Sequence, residues 1–417
     1  MNKSLWHIRN YKNWFISDTA EALAKNMRTF AIPLVAFEIS QSESIAGILT
    51  AIEATLVMIL TPIGGVLVDM LDRKKMMYSL GCVGFVLSLI TAFLLCIEPN
   101  VLVFSLLIIL FGIFTGLLGG SNDAILKSLI PETLFPSAQA VRESREATLD
   151  LSGGVISGLL YNISNATIFV ASSLSYLISA FATIPIKTAS IKHLKKVPAQ
   201  KHSQTNLLRT FLNHLREGWD WCSHKPTFLS AMLIGAFVNI SFVMLLTGSR
   251  IMLAASGTSS VLIGLINTGM GISAFIGSIF AIQLVNRIRT GLLIVLCLAF
   301  TTLCYVPLLF QSSFPYLLIV TSLTGLPVPA LNAALYGFLF GKTPDNMQGR
   351  ASAVFETSVG IASAMTPALV GPILQLDNGF TLIILLTIIF SFLSVLTALC
   401  SKIRTIPHTT MWDEVTL

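Results

Sequence analysis

Four ionisable residues near the start of the chain, Asp18, Glu21, Lys25 and Arg28, recur at intervals of three, four and three. On a helix advancing about 100° per residue they fall within a sector of about 80°, so they share one face. Their surroundings are apolar, and a charge near the centre of a bilayer costs at least about 2.5–3.5 kcal/mol, so the stripe must face a polar interior and be compensated there. Glu21 and Lys25 have the i,i+4 spacing of an ion pair. Two readings stay open: a self-neutralising structural pair, or part of a path for protons and a polar solute. In the second, Lys25 and Arg28 attract an anionic group while Asp18 and Glu21 compensate them. Arg142, Glu146 and Asp150 repeat the i,i+4 spacing further along, with Glu143 beside them. Asp150 stands about 12 Å deeper than Arg142 at 1.5 Å per residue, which suits a proton carrier. A carboxylate hydrogen-bonded near Ser152 and the adjacent glycines is the alternative. Glu53 is isolated among Ile52, Ala54 and Leu56. It could exchange a proton as the partner of Asp150, or make a simple core hydrogen bond.

These groups need a scaffold, and composition names its kind. Of 417 residues only 11% are charged, against 54% apolar. A soluble domain carries about a quarter charged residues, and disordered or collagen-like chains are never this apolar, so the chain is read as a membrane protein. At roughly 20 apolar residues per crossing, twelve spans are expected. They fall near 13–37, 44–68, 76–97, 101–123, 138–161, 166–187, 226–247, 258–283, 291–311, 314–340, 351–374 and 379–401. Span four carries Gly112, Gly116 and Gly120, a spacing that permits close helix packing. The six cysteines show no CxxC and the histidines no ligand spacing, so no metal site and no cofactor are expected.

Twelve spans put both termini on one side. Of the 26 basic residues, 23 fall on that side, which the positive-inside rule makes cytoplasmic; Lys25 and Arg28 lie within span one, and Arg250 in a loop opposite. The net charge of +6 thus reports orientation in a cell inner or plasma membrane, not a nucleic-acid partner. The N-terminus lacks the features of a cleaved signal. The long segment 188–225 reads as a cytoplasmic linker with an interfacial helix near Thr205–Cys222, with Leu208, Phe211, Leu212, Leu215 and Trp219 on one side, and 403–417 as a cytoplasmic tail.

A shift of 213 residues lays positions 140–144 (Ala-Val-Arg-Glu-Ser) on 353–357 (Ala-Val-Phe-Glu-Thr), Gly158 on Gly371 and Gly64 on Gly277. Two six-span halves follow, 1–187 and 226–402. Between spans two and three, residues 65–75 (Gly-Val-Leu-Val-Asp-Met-Leu-Asp-Arg-Lys-Lys) resemble the signature of the major facilitator superfamily, Gly-x-Leu-x-Asp-Arg-x-Gly-Arg-Lys. Asp72 replaces the second Gly, a variant similar to the branch of macrolide efflux pumps and enterobactin-type siderophore exporters. The span-five antiporter pattern is matched only in part by residues 153–158, and span four lacks the arginine of many antiporters.

The resemblance implies an all-α membrane fold of twelve transmembrane helices in two pseudo-symmetric six-helix halves. It further implies a monomeric, proton-coupled secondary exporter of a small organic molecule, siderophore-like or drug-like, and no enzyme. Asp69 and Arg73 would close a cytoplasmic gate, with Arg142, Glu143 and Glu356 at its rim, while Lys74 and Lys75 anchor the interface. The second-half equivalent, residues 283–289 (Gln-Leu-Val-Asn-Arg-Ile-Arg), has lost its acid, so any gate is asymmetric. A lipid or lysolipid flippase, or a membrane sensor that transports nothing, is the alternative.

Overall fold

The computed structural model describes residues 5–8, 10–130, 134–186 and 216–414. Apolar runs of this length must satisfy their backbone polar groups within themselves, and they do so as helices. In chain order these are α1 (Tyr11–Ser40), α2 (Glu43–Met70), α3 (Arg73–Ile97), α4 (Val101–Leu118), α5 (Ser121–Leu129), α6 (Phe135–Ile163) and α7 (Asn165–Thr183). The second half follows with α8 (Pro226–Ala255), α9 (Ser260–Arg287), α10 (Thr290–Tyr305), α11 (Phe314–Gly325), α12 (Val328–Gly341), α13 (Asp345–Leu374) and α14 (Gly379–Cys400). Taking the pairs α4–α5 and α11–α12 each as one interrupted span, the described residues hold twelve crossings, the number expected.

Ten of the crossings are long and apolar enough to be recognised by hydropathy alone. The other two are α1 and α6, the helices that carry the two charged stripes. Their charges lower the mean hydropathy, and both run beyond the expected limits, α1 over 30 residues and α6 over 29.

The chain divides into two compact units. One holds Met1–Gln41, Ile52–Thr210 and Ser259–Gly264, the other Ser42–Ala51, Phe211–Thr258 and Leu265–Leu417. In the first, α7 packs along both α1 and α3. Ser17 Oγ lies within hydrogen-bond distance of Ser179 and Thr183, so small polar residues let α1 and α7 approach closely. The glycine repeat of span four does the same for α2 and α4. A Cβ at Gly112 would stand 2.9 Å from Leu56 Cβ, and one at Gly116 would stand 2.7 Å from Leu60 Cβ.

In the second unit α14 and α13 pack against α8 around a core of Phe228, Ile234, Leu298, Leu335 and Phe355. Its last segment does not hang free as a tail. After α14 the chain forms short 3-10 turns at Lys402–Thr405 and Thr409–Glu414 and folds back onto α10. The N–H groups of Thr290 and Gly291 donate to the carbonyls of Pro407 and Ile406, filling two of the acceptor needs that open a helix. Trp412 Nε1 donates to Thr290 Oγ1 at 3.0 Å, and its ring meets Phe338 of α12 edge-on at 5.5 Å. Gly291 has no room for a Cβ against the carbonyls of Ile403 and Arg404. Arg250, expected in a loop, lies inside α8, where it donates to Asn267 Oδ1 at 2.9 Å. Of the expected linker helix only 216–223 lies within the described residues; there Trp219 is half exposed and Cys222 buried.

Candidate functional site

The site begins at a break in span four. Gly119 and Gly120 separate α4 from α5, both with right-handed helical backbone angles. Asn122 falls in the first turn of α5, where Trp14 Nε1 of α1 donates to its carbonyl at 3.0 Å. Its side-chain amide then donates to two carboxylates on α1, to Asp18 Oδ1 at 3.0 Å and to Glu21 Oε2 at 2.8 Å. From α6, Arg145 forms an ion pair with the other oxygen of Asp18 and another with Glu146. Arg142 Nε stands 4.0 Å from Glu146 Oε1. Charge therefore alternates along Asp18, Arg145, Glu146 and Arg142.

The α1 stripe is not one ionic unit. Glu21 and Lys25, expected to pair, form no ion pair: among the described residues Glu21 has the Asn122 amide as its hydrogen-bond partner and no cation at ion-pair distance, and the Lys25 side chain is exposed. Arg28 is withdrawn from solute altogether. It is fully buried, and its Nη2 donates to Glu53 Oε1 at 2.9 Å while Nη1 donates to Tyr176 Oη at 3.1 Å and Thr115 Oγ1 at 3.2 Å. Its guanidinium carbon sits 4.6 Å from the centre of the Phe111 ring. Glu53 is accordingly not an isolated carboxylate. Of the two readings offered for Glu53 the structure shows the core hydrogen bond, and its pairing with Arg28 crosses from α1 to α2, which no spacing along one helix encodes.

Asp18, Glu21, Lys25, Asn122, Arg142, Arg145 and Glu146 line one cavity of about 490 Å³, with Asn26, Thr29, Thr61 and Thr115 among the other walls. Its size is that of a small-molecule site. Asn122 and Arg145 were missed from the sequence. The signal for Asn122 was the Gly119-Gly120 doublet ahead of a polar triplet inside an apolar span; Arg145 was counted toward topology alone. The 213-residue shift carries Asp18, Glu21 and Asn122 onto Ala231, Ile234 and Leu335, all buried in the apolar core of the second unit. Among the described residues these three positions have no polar equivalent there.

At the proposed gate, Asp72 caps α3 by accepting from the backbone N–H of Lys74 at 2.9 Å and Lys75 at 3.3 Å. That explains how this chain uses the position where the signature has Gly. Arg73 Nη1 donates to the Ala124 carbonyl at 3.0 Å, and Lys74 Nζ to the Ile184 carbonyl at 2.6 Å. Lys74 is thus more than a generic interfacial charge. Glu356 is exposed. The side chains of Asp69, Glu143 and Asp150 lie outside the described residues.

With this geometry in hand, the sequence profile of the Major Facilitator Superfamily matches residues 15–251 and again 227–413. The chain belongs to this superfamily. Solved transporter structures share the fold at low identity. A bacterial homologue of the iron transporter ferroportin, solved in an inward-facing state, aligns with a TM-score of 0.73 at 13% identity, over 97% of this chain and 100% of that one. The nucleoside transporter NupG gives 0.67 at 14% identity over 94% and 98%, and a D-xylose–proton symporter 0.68 at 12% over 97% and 99%. Among curated proteins none matches the sequence significantly. As a superfamily member the protein is a multi-pass membrane transporter of the secondary kind.

Proposed function

We propose that this protein is a proton-coupled exporter of a small organic molecule, siderophore-like or drug-like, working by alternating access. The observation that carries the reading is the cavity's uneven pair of acids. Asp18 is ion-paired with Arg145, whereas Glu21 has the Asn122 amide as its hydrogen-bond partner and no cation at ion-pair distance among the described residues. One acid paired with a cation beside one without a cation gives a carboxylate for which a proton and a solute cation compete. Each proton re-entering across 100 mV supplies about 2.3 kcal/mol, enough for modest accumulation without ATP. The outward direction rests on the resemblance of residues 65–75 to the efflux branch.

In this reading both termini are cytoplasmic in a cell inner or plasma membrane, since 23 of 26 basic residues fall on that side. Residues 1–187 and 226–402 are the two halves, 188–225 the linker, and the monomer is the working unit. Asp69 and Arg73 belong to the cytoplasmic gate with Arg142, Glu143 and Glu356 at its rim. Asp150 remains a second proton-carrier candidate, while Arg28 and Glu53 support the site from behind.

The test compares the culture medium of cells producing the wild type with that of cells producing Glu21→Gln at equal membrane abundance. A compound enriched outside wild-type cells should fall at least tenfold with the variant and on adding a protonophore. Equal enrichment in all three rejects proton coupling through Glu21.

A further inference from the structure

The cavity's ionic partners can be paired off, and what remains identifies a ligand. Asp18, Arg145, Glu146 and Arg142 form one alternating chain, and Arg28 is spent on Glu53. Two lining residues are left without an ion-pair partner among the described residues: the Glu21 carboxylate and the Lys25 ammonium. They stand one helical turn apart on the same face of α1, a spacing of roughly 5–6 Å between Cβ atoms. Both border the 490 Å³ cavity instead of meeting each other.

Two further groups extend this pattern. Asn122 is 4% exposed and lines the cavity, yet its Oδ1 accepts no hydrogen bond, an unused acceptor beside Glu21. Asn26, next to Lys25 in sequence, brings another amide to the wall. The acceptors thus gather at Glu21 and Asn122 and a cation waits one turn away.

A bare metal ion does not suit this arrangement. The Asn122 N–H₂ points at an oxygen of each of the two nearest carboxylates, and Arg145 takes the second oxygen of Asp18, so these lone pairs are already engaged by donors. A simple organic anion would satisfy Lys25 and leave the acceptors at Glu21 and Asn122 Oδ1 without a donor.

We propose that the cargo is a zwitterion, an amine-bearing carboxylate whose ammonium sits on Glu21 and Asn122 Oδ1 and whose carboxylate sits on Lys25. This rests on the proton-exchange reading and deepens it. An ammonium and a proton compete for one carboxylate, so cargo binding releases the proton that return transport must carry.

The experiment uses the full-length protein, purified in detergent, and a panel of zwitterions: phenylalanine, leucine and the dipeptide alanyl-phenylalanine. Each is tested beside its methyl ester, which keeps only the cation, and its N-acetyl derivative, which keeps only the anion. Binding is read by calorimetry, and proton release by a pH dye in weak buffer. At least one zwitterion should bind tenfold or more tightly than both masked forms. Lys25→Gln should abolish its advantage over the ester, and Glu21→Gln its advantage over the N-acetyl form. Thermal melts of both variants check that they are folded.

If an N-acetyl derivative binds as well as its parent, if an ester does, or if no zwitterion of the panel binds, the proposal is overturned. A zwitterion that binds wild type with the expected preference but releases no proton upholds the ligand class and removes the proton-exchange reading. Proton release by a masked form alone does the reverse.

Discussion

Arg28 shows what a buried charge is for when nothing can reach it. Its side chain on α1 touches α2 through Glu53, α4 through Thr115 and Phe111, and α7 through Tyr176. It therefore ties four helices behind the cavity. Removing one partner of such a pair leaves an uncompensated charge and costs about 3–5 kcal/mol, whereas removing both costs much less. Arg28→Met and Glu53→Gln should each lower the melting temperature of the purified protein, and the double variant should melt above either. A double variant melting below both singles would show that the pair is not the staple described. The neighbouring amide is a different case. Asn122→Leu removes the donor that Asp18 and Glu21 share, so two carboxylates lose their common partner while Arg145 still holds one of them. Transport should fall at least tenfold with the protein still monodisperse by size-exclusion chromatography; wild-type transport would remove Asn122 from the site. The α1 stripe was readable from its spacing, and so was the need for compensation. Which partner each charge takes was not, because Asp18 meets Arg145 and Arg28 meets Glu53 across helices, at separations that no helical period reports.

At the scale of elements, the two helices that matter most are the two that hydropathy recognises least. α1 and α6 carry the charges that line the cavity, and those charges take them below the apolarity of the other ten crossings. Their apolar remainder still marks them as spans, which is why the count of twelve was readable. The interruption of span four was not: Gly112 and Gly116 serve close packing on α2, while the break falls at Gly119 and Gly120, whose backbone angles are themselves helical. Gly116→Val should force α4 away from α2 at a cost of about 1–3 kcal/mol, visible as a lower melting temperature. Unchanged melting would mean that α2 and α4 can separate freely. The returning C-terminal segment makes its own prediction. Trp412→Ala forfeits one hydrogen bond and the edge contact with Phe338, about 1–3 kcal/mol together. The second half should therefore become sensitive to protease near α10 before the first half does; equal sensitivity would show that the segment does not brace α10.

On the scale of the whole molecule, two halves of one ancestry have divided their labour unequally. The repeat was legible from a few residues at one offset, and the match of the superfamily profile to both halves agrees with it. What the repeat could not convey is that the positions of Asp18, Glu21 and Asn122 have become Ala231, Ile234 and Leu335 in the other half, packed in its core. A symmetric ancestor does not prescribe a symmetric site. Orientation is checked by fusing a fluorescent protein and, separately, a periplasm-active phosphatase to the C-terminus: fluorescence without phosphatase activity is expected, and the opposite result would invert the topology. The fold-back of the last residues onto α10 also has a meaning in time. The backbone groups that cap Thr290 and Gly291 belong to Pro407 and Ile406, more than a hundred residues later. At about 5–20 residues per second the ribosome needs roughly 5–20 s to supply them. Until then α10 has entered the membrane with an open end, and a chain cut short before Ile406 never closes it. The 402–414 segment is thus a late-made support of α10, and its loss should expose the start of that helix to proteases.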